Sequence, residues 1–408
     1  MSVASMPPSF EVHLMLDFLT DDVRRNPYPL YAQMRAASPV MCVPPNGPYL
    51  VFDYACVKRV LDDHDAFTSS ASPAGTTDNP LPWMIFQDPP RHTKLRALVS
   101  RAFTPRSVAA LEPRIAAISR ELLDAAIARG RGEIDLVADY AAPLPMMVIA
   151  EMLGIPSSDR ARFKRWSDAI LGLSETISGG PAAGAKAGAQ YMQTTEEMEE
   201  YLVDILREFR SAPKDNLLNR LALAEVEGER LTHREILGFF QLLLLAGSET
   251  TINLIANAVL CLLDHPDQLT KLRGHMELLP SAIEEVLRYR SPLQTVFRGA
   301  RRDVEMHGQV IPKGKLVLPI IGSANRDAAV FENADHFDIT RDPNPHLAFG
   351  HGVHFCLGAA LARLEAKIAI TDLLAQSRGL SRTSDEPWTP RQAFHVHGPA
   401  RLPIRFEA

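Results

Sequence analysis

Apolar residues at helical spacing dominate this chain. They predict helices at Pro27–Ala37, Tyr54–Leu61, from Asp88 through Arg96, Val108–Ile127, Ala141–Leu153, Arg160–Leu173, Tyr191–Arg210 and Ser281–Arg290. Extended stretches are few and short. Tyr49–Phe52 reads as a strand and Ser291–Phe297 as an extended segment. Val304–Leu318 reads as a hairpin turning at Pro312-Lys313-Gly314-Lys315. Phe394–Gly398 with Leu402–Phe406 reads as a last hairpin. The pattern predicts a mainly α protein. Two connections stand out. Thr68–Pro90 is rich in Ser, Pro, Gly and Asn around Trp83, Met84, Ile85 and Phe86, which suits a binding lid or a surface loop pinned by a small cluster. Ser178–Ala189 is built of small residues and reads as a mobile break between two helices, either a lid or an ordinary linker.

The longest helical pattern opens at Thr232-His233-Arg234-Glu235, a capping box with Thr as N-cap and Glu at N3. It runs to about Asp264, where His265-Pro266 stops it. That is a rod of roughly 50 Å. It is apolar on most faces before Ala246, which implies burial. Then comes Ala246-Gly247-Ser248-Glu249-Thr250-Thr251. A glycine, an acid and two threonines inside a buried helix cost stability. The Thr250 hydroxyl can bond back to the Ala246 carbonyl, and a bulge or kink beside Gly247 would open room for a small ligand. A structural kink with a solvated acid would explain the same residues.

At 408 residues, one large fold is enough to hold the chain, and we expect a single domain over 1–408. The net charge of −6 argues against a nucleic-acid partner. No run reaches about 18 uninterrupted apolar residues, and Met1–Leu19 lacks a basic start followed by an apolar core, so neither a membrane span nor a signal peptide is expected. Cys42, Cys56, Cys261 and Cys356 are far apart, as free thiols in a reducing cytoplasm would be.

The candidate chemistry centres on Phe349-Gly350-His351-Gly352-Val353-His354-Phe355-Cys356-Leu357-Gly358. Gly350 and Gly352 let the loop take positive φ and approach a flat ligand. Cys356 stands at the start of a helix expected at Leu357–Leu374, where the dipole lowers a thiol pKa. One thiolate suits a metal with a single protein ligand, not zinc. Upstream, His92 and Arg96 share a helical face, either to hold an anionic group or as a solvated basic face.

Phe349, Gly352, Cys356 and Gly358 fill every fixed position of the cysteine loop of the cytochrome P450 family, which this sequence resembles from Pro27 to Phe406. The resemblance implies an α-rich fold with small antiparallel β-sheets at one side. It implies haem b (iron protoporphyrin IX) as cofactor, with Cys356 as its metal ligand. His92, Arg96, Arg298 and His354 would bind the propionates, and Phe349, Gly350, Gly358 and Ala246 would line the porphyrin. Ala246 to Thr251 matches the family's oxygen-activation helix, making Thr250 and Glu249 the catalytic pair, with Glu249 where Asp is common. Glu285 and Arg288, with Arg341 as third partner, match the family's structural Glu–Arg pair, and Ala324-Asn325-Arg326-Asp327 also matches.

The activity implied is a monooxygenase that inserts one atom of O2 into a C–H bond of an apolar fatty acid, terpenoid or steroid-like molecule. Phe86, Leu243, Val296 and Val396 are the expected substrate contacts. No G-x-G-x-x-G fingerprint precedes the haem region, so electrons would come from a separate ferredoxin and its reductase. Lys94, Arg101 and Arg363 are candidate docking cations, though each also reads as an ordinary surface charge. A peroxide-driven peroxygenase and a non-enzymatic haem-thiolate sensor are the rival readings.

Overall fold

The computed structural model describes residues 20–44, 46–70, 83–100, 103–130, 132–212, 215–226, 228–377 and 379–407. Its axis is the helix His233–Asp264. The capping box forms: the Glu235 amide donates to Thr232 Oγ1, and the Glu235 carboxylate accepts from the Thr232 amide at 2.9 Å. At the other end the His265 amide closes on the Cys261 carbonyl. Around this rod pack Pro143–Leu153, Arg160–Ser211, Leu279–Tyr289 and Ala359–Ala375. The apolar residues before Ala246 join one buried cluster, and those after Thr251 join a second.

A five-stranded sheet flanks the helices, in the order Val40–Cys42, Tyr49–Val51, Leu316–Pro319, Arg298–Ala300, Phe67–Thr68. Its pairs are antiparallel except one: Leu316–Pro319 runs parallel to Tyr49–Val51, with Val317 opposite Tyr49. This sheet places Arg298 opposite Val317 at the edge of the helical lobe.

Three expectations need correction. The hairpin near residue 307 turns at His307-Gly308, with φ of 48° and 72°, joining Val304–Met306 to Gln309–Ile311. Positive φ at both central residues is what a tight two-residue hairpin turn requires. Pro312–Lys315 instead carries the chain across to the larger sheet, where the Gly314 amide donates to the Ala300 carbonyl. At the C-terminus, Pro403–Glu407 pairs with Gly379–Arg382 and Glu133–Asp135, not with the stretch around Val396. Arg160–Ser211 is one continuous helix through Gly179-Gly180-Pro181, with no loop at 178–189. The run of alanines that follows has the highest helix propensity and continues it. Separately, Leu136–Leu153 and the central helix are by length and composition alone apolar enough to cross a membrane. Most of both segments is buried inside the fold, as core helices are.

Candidate active site

The cysteine loop is held by its own backbone. Gly350 and Gly352 take φ of 74° and 69°, which only glycine adopts cheaply. A Cβ on Gly352 would lie 2.6 Å from Asp62 Oδ1. The Cys356 amide donates to the Phe349 carbonyl at 2.8 Å. The following helix is Ala359–Ala375, two residues later than its expected start, with Gly358 as N-cap. Burial pushes the Cys356 thiol pKa up, against a hydrogen bond from the Gly358 amide and the charges of Arg96 and Arg363. The expected lowering at the helix start is therefore outweighed by desolvation in the cofactor-free protein.

Two ion clusters brace this loop. Arg288 and Glu285 are fully buried and pair at 2.8 Å, and Arg341 joins Glu285 at 3.2 Å. Arg288 also donates to the Asn325 carbonyl at 3.0 Å, and Asn325 Oδ1 accepts from the Leu347 amide at 2.7 Å, two residues before Phe349. The second cluster escaped the sequence reading. Glu284 takes a two-point contact from Arg363 at 2.6 and 2.7 Å and a third from His346 at 3.0 Å. The Arg363 guanidinium lies over the Phe349 ring, 4.5 Å from its centroid. Arg363, considered as a docking cation, is thus committed to the loop. Lys94 pairs with Glu229 at 2.9 Å. Arg101 lies outside the described residues.

On the other side of the loop, donors converge. The His92 and His354 rings lie 4.0 Å apart. Arg298 is buried. Burial and the neighbouring guanidiniums push the His92 pKa down to about 4 and that of His354 to about 2. Burial lowers Arg298 to about 10 and lowers Arg96 as well. His354 Nε2 contacts Ser69 Oγ at 3.0 Å, while His92 Nδ1 is buried without a hydrogen-bond partner among the described residues. Crowded cationic groups with an orphaned ring nitrogen call for anions. The two propionates of haem are carboxylates of the right charge, and the residues fit the group.

The central helix supplies the remaining wall. Thr250 Oγ1 donates to the Ala246 carbonyl at 2.7 Å, as expected, yet the helix stays α throughout. Gly247 serves packing: a Cβ there would sit 2.6 Å from Ile149 Cδ1. Ala246 is exposed and Leu243, Gly247 and Thr250 are half-buried, while Ser248, Glu249 and Thr251 are buried. One face of an otherwise buried helix therefore borders open space. Of the expected substrate contacts, Phe86 and Leu243 are half-buried beside the first cluster, Val296 is half-buried beside the sheet, and Val396 is buried and bridged to Leu293. Phe86 stacks on Trp83 at 5.8 Å. Trp83 Nε1 and Tyr191 Oη both donate to Gln241 Oε1 at 3.0 Å, and Gln241 Nε2 donates to Thr195. This network ties the Trp83–Phe86 loop and the long helix to the central helix. Gln241, a lone polar residue in an apolar run, was its only signal in the sequence.

A family profile described as cytochrome P450 matches residues 40–395. The chain is 40% identical over 407 residues to cytochrome P450 109 of Bacillus spizizenii, covering 98% of this chain and 96% of that protein. It is 41% identical over 405 residues to the cytochrome P450 monooxygenase PikC of Streptomyces venezuelae, covering 96% and 94%. The crystal structure of CYP109E1 from Bacillus megaterium in complex with testosterone superposes with a TM-score of 0.85 at 40% identity, covering 94% of this chain and all of that one. The cysteine loop, its bracing, the convergent donors and these likenesses agree: the chain belongs to the cytochrome P450 family.

Proposed function

We propose that this P450 monooxygenase inserts one atom of O2 into a C–H bond of an apolar molecule, releasing the other as water and taking two electrons and two protons per turnover. A steroid-sized substrate is favoured by the testosterone-bound relative, with fatty acids and terpenoids as the other candidates. The observation that carries the reading is Ala246, exposed in the middle of a mostly buried helix and about one turn from Thr250 and Glu249. Electrons come from a separate ferredoxin and its reductase. The enzyme works in the cytoplasm, with no nucleic-acid or membrane partner, in keeping with the net charge of −6 and four free cysteines.

Haem b, when bound, supplies the oxygen-activating chemistry. The chain supplies placement. Cys356 holds the metal as thiolate, and the cation's charge offsets the desolvation that otherwise keeps the thiol protonated. The Gly358 amide stabilises the sulfur's negative charge. His92, Arg96, Arg298 and His354 would hold the propionates, whose negative charges would oppose the lowering of the donors' pKa values. Phe349, Gly350, Gly358 and Ala246 would line the porphyrin. Because the Thr250 hydroxyl hydrogen is committed to the Ala246 carbonyl, its oxygen acts as an acceptor. It can orient a water, and Glu249 holds the proton that this water passes on. Phe86, Leu243, Val296 and Val396 present apolar surface to the substrate and exclude bulk water.

Testosterone, palmitic acid and a monoterpene are titrated into the purified holoenzyme. A spin-state change in the haem spectrum for at least one, with product formed only when ferredoxin, reductase and O2 are all present, is the expected result. Turnover with hydrogen peroxide and none with the electron donors would favour the peroxygenase reading. Binding without product under either regime would favour a sensor.

A further inference from the structure

Beyond Glu249, two more polar groups follow the central helix toward its C-terminal end. Glu249, Asn253 and Asn257 lie a turn apart on one face, and all three are buried, both asparagines completely. Asn257 Nδ2 spends both its hydrogens, donating to the Arg290 carbonyl at 3.0 Å and the His397 carbonyl at 2.9 Å. Among the described residues, its Oδ1 is left buried without a hydrogen-bond partner. Asn253 Oδ1 accepts from Arg391 Nε at 2.9 Å, and its Nδ2 is likewise without a partner. So are Arg290 Nε and Nη1 and His397 Nδ1. Arg290 Nη2 reaches Asp264 at 3.3 Å, and the Asp264 side chain is 34% exposed.

An unsatisfied buried polar atom carries its full desolvation penalty. Native proteins avoid that cost with ordered water, which needs two to four polar partners. Here donors and acceptors without partners succeed one another from the catalytic acid to a surface carboxylate. Such a succession is what a hydrated file requires. Arg290 is balanced by Asp264, so its charge does not block the outer end. Burial holds His397 in its neutral form, with its pKa near 3.

We propose that Glu249, Asn253, Asn257 and Arg290 line a file of ordered water running from Asp264 to the oxygen-activating face of the central helix, with Asn253 and Asn257 as positioning residues for proton supply. The proposal rests on the reading of Glu249 as the acid that passes protons inward. Protons enter as water-borne charge at Asp264 and leave at Glu249, with no bond to carbon or metal made along the way.

A high-resolution crystal structure of the holoenzyme is expected to show waters on Asn253 Nδ2, Asn257 Oδ1 and the two Arg290 donors. Dry, well-resolved density there would overturn the proposal. In solution, Asn257→Leu removes the hydration while keeping bulk. Product per electron pair is expected to fall by about tenfold, with electrons diverted to hydrogen peroxide, and the solvent deuterium isotope effect is expected to rise. The substrate-induced spin change and the reduced carbon-monoxide spectrum stay as in the wild type. Asn257→Ser, which can hold a water, restores most of the coupling. Where Leu does not fold, Asn257→Ala and Asn257→Ser, which differ by one hydroxyl, make the same comparison. Wild-type coupling in the Leu or Ala variant overturns the file. Glu249→Gln is run alongside: if it loses coupling while the Asn257 variants keep it, the file alone fails. If Glu249→Gln keeps coupling, the reading of Glu249 fails.

Discussion

Replacing Glu285 by Gln should do more damage than any surface change of the same size, and the structure says why. Arg288 has five N–H donors, and each has a partner. Two go to Glu285 at 2.8 Å, and three go to the carbonyls of Asn325, Ala334 and His336 at 2.7 to 3.0 Å. Neither residue of the pair touches solvent. Glu285 also accepts from Arg341, Asn344 and the Asp338 amide. Glu285→Gln keeps the shape but strands one fully buried guanidinium and one nearly buried one with no counter-charge. Breaking a buried pair in this way costs about 3–5 kcal/mol, against a total stability of about 5–15 kcal/mol. Arg341→Ala, which leaves the buried pair intact, should cost about 1–2 kcal/mol. Replacing both members by Leu should not recover the loss, because three backbone carbonyls lose their donor. Denaturant midpoints of the four proteins, measured in parallel, give the ranking. The same samples, reduced and exposed to carbon monoxide, should lose the thiolate signature in the same order, since the Asn325–Leu347 bond carries the disturbance to the cysteine loop. A Glu285→Gln protein with a wild-type midpoint and spectrum would refute the reasoning.

Further outcomes follow from other parts of the molecule. Gln241→Leu unpairs Trp83, Tyr191 and Thr195 and should destabilise by about 1–3 kcal/mol; a proteolysis series should show cleavage between Trp83 and Phe86 quickening while the central helix stays protected. Gly247→Val should push helix Pro143–Leu153 outward through Ile149 and weaken haem retention, measured by haem transfer to apomyoglobin. His397 is buried and His395 half-buried, with pKa values pushed down to about 3 and about 4, both chiefly by desolvation. The unfolded chain therefore binds more protons than the fold between the ordinary histidine pKa of about 6.5 and those values. Stability should be intact above that upper limit and fall as pH drops toward 4, by on the order of 1 kcal/mol per pH unit for each histidine. A His397→Gln variant with an unchanged acid slope would contradict this. Cys356→Ser should abolish the thiolate spectrum without lowering the unfolding midpoint of the cofactor-free chain by more than about 1 kcal/mol.

The parts that were legible in the sequence are those whose cause is local. The Thr232–Glu235 box is four consecutive residues bonding to one another, so the start of the central helix could be read to the residue. The cysteine loop was legible because glycines at fixed offsets are demanded by its own backbone. Arg363 and Glu284 are 79 positions apart, and nothing near either one announces the other. The same holds for Gln241, whose partners lie on two other elements. At His307-Gly308 a less usual turn pair was passed over for a Pro-Gly stretch with a stronger general preference. In the 178–189 stretch small residues suit a loop and a helix alike, and the helix runs through because its alanines favour it.

The crowd of His92, Arg96, Arg298 and His354 has a consequence for the life of the protein in a cell. Desolvated donors pressed together are a cost that the chain bears until, on the function proposed above, carboxylates arrive. Cofactor capture and completion of this lobe are then one thermodynamic event. A ligand present at a thousandfold excess over its dissociation constant adds about 4 kcal/mol to stability. Haem supply, more than synthesis rate, should set how much of this enzyme survives quality control, and chains made in haem-poor cells should be trimmed first around the segment that carries His92 and Arg96.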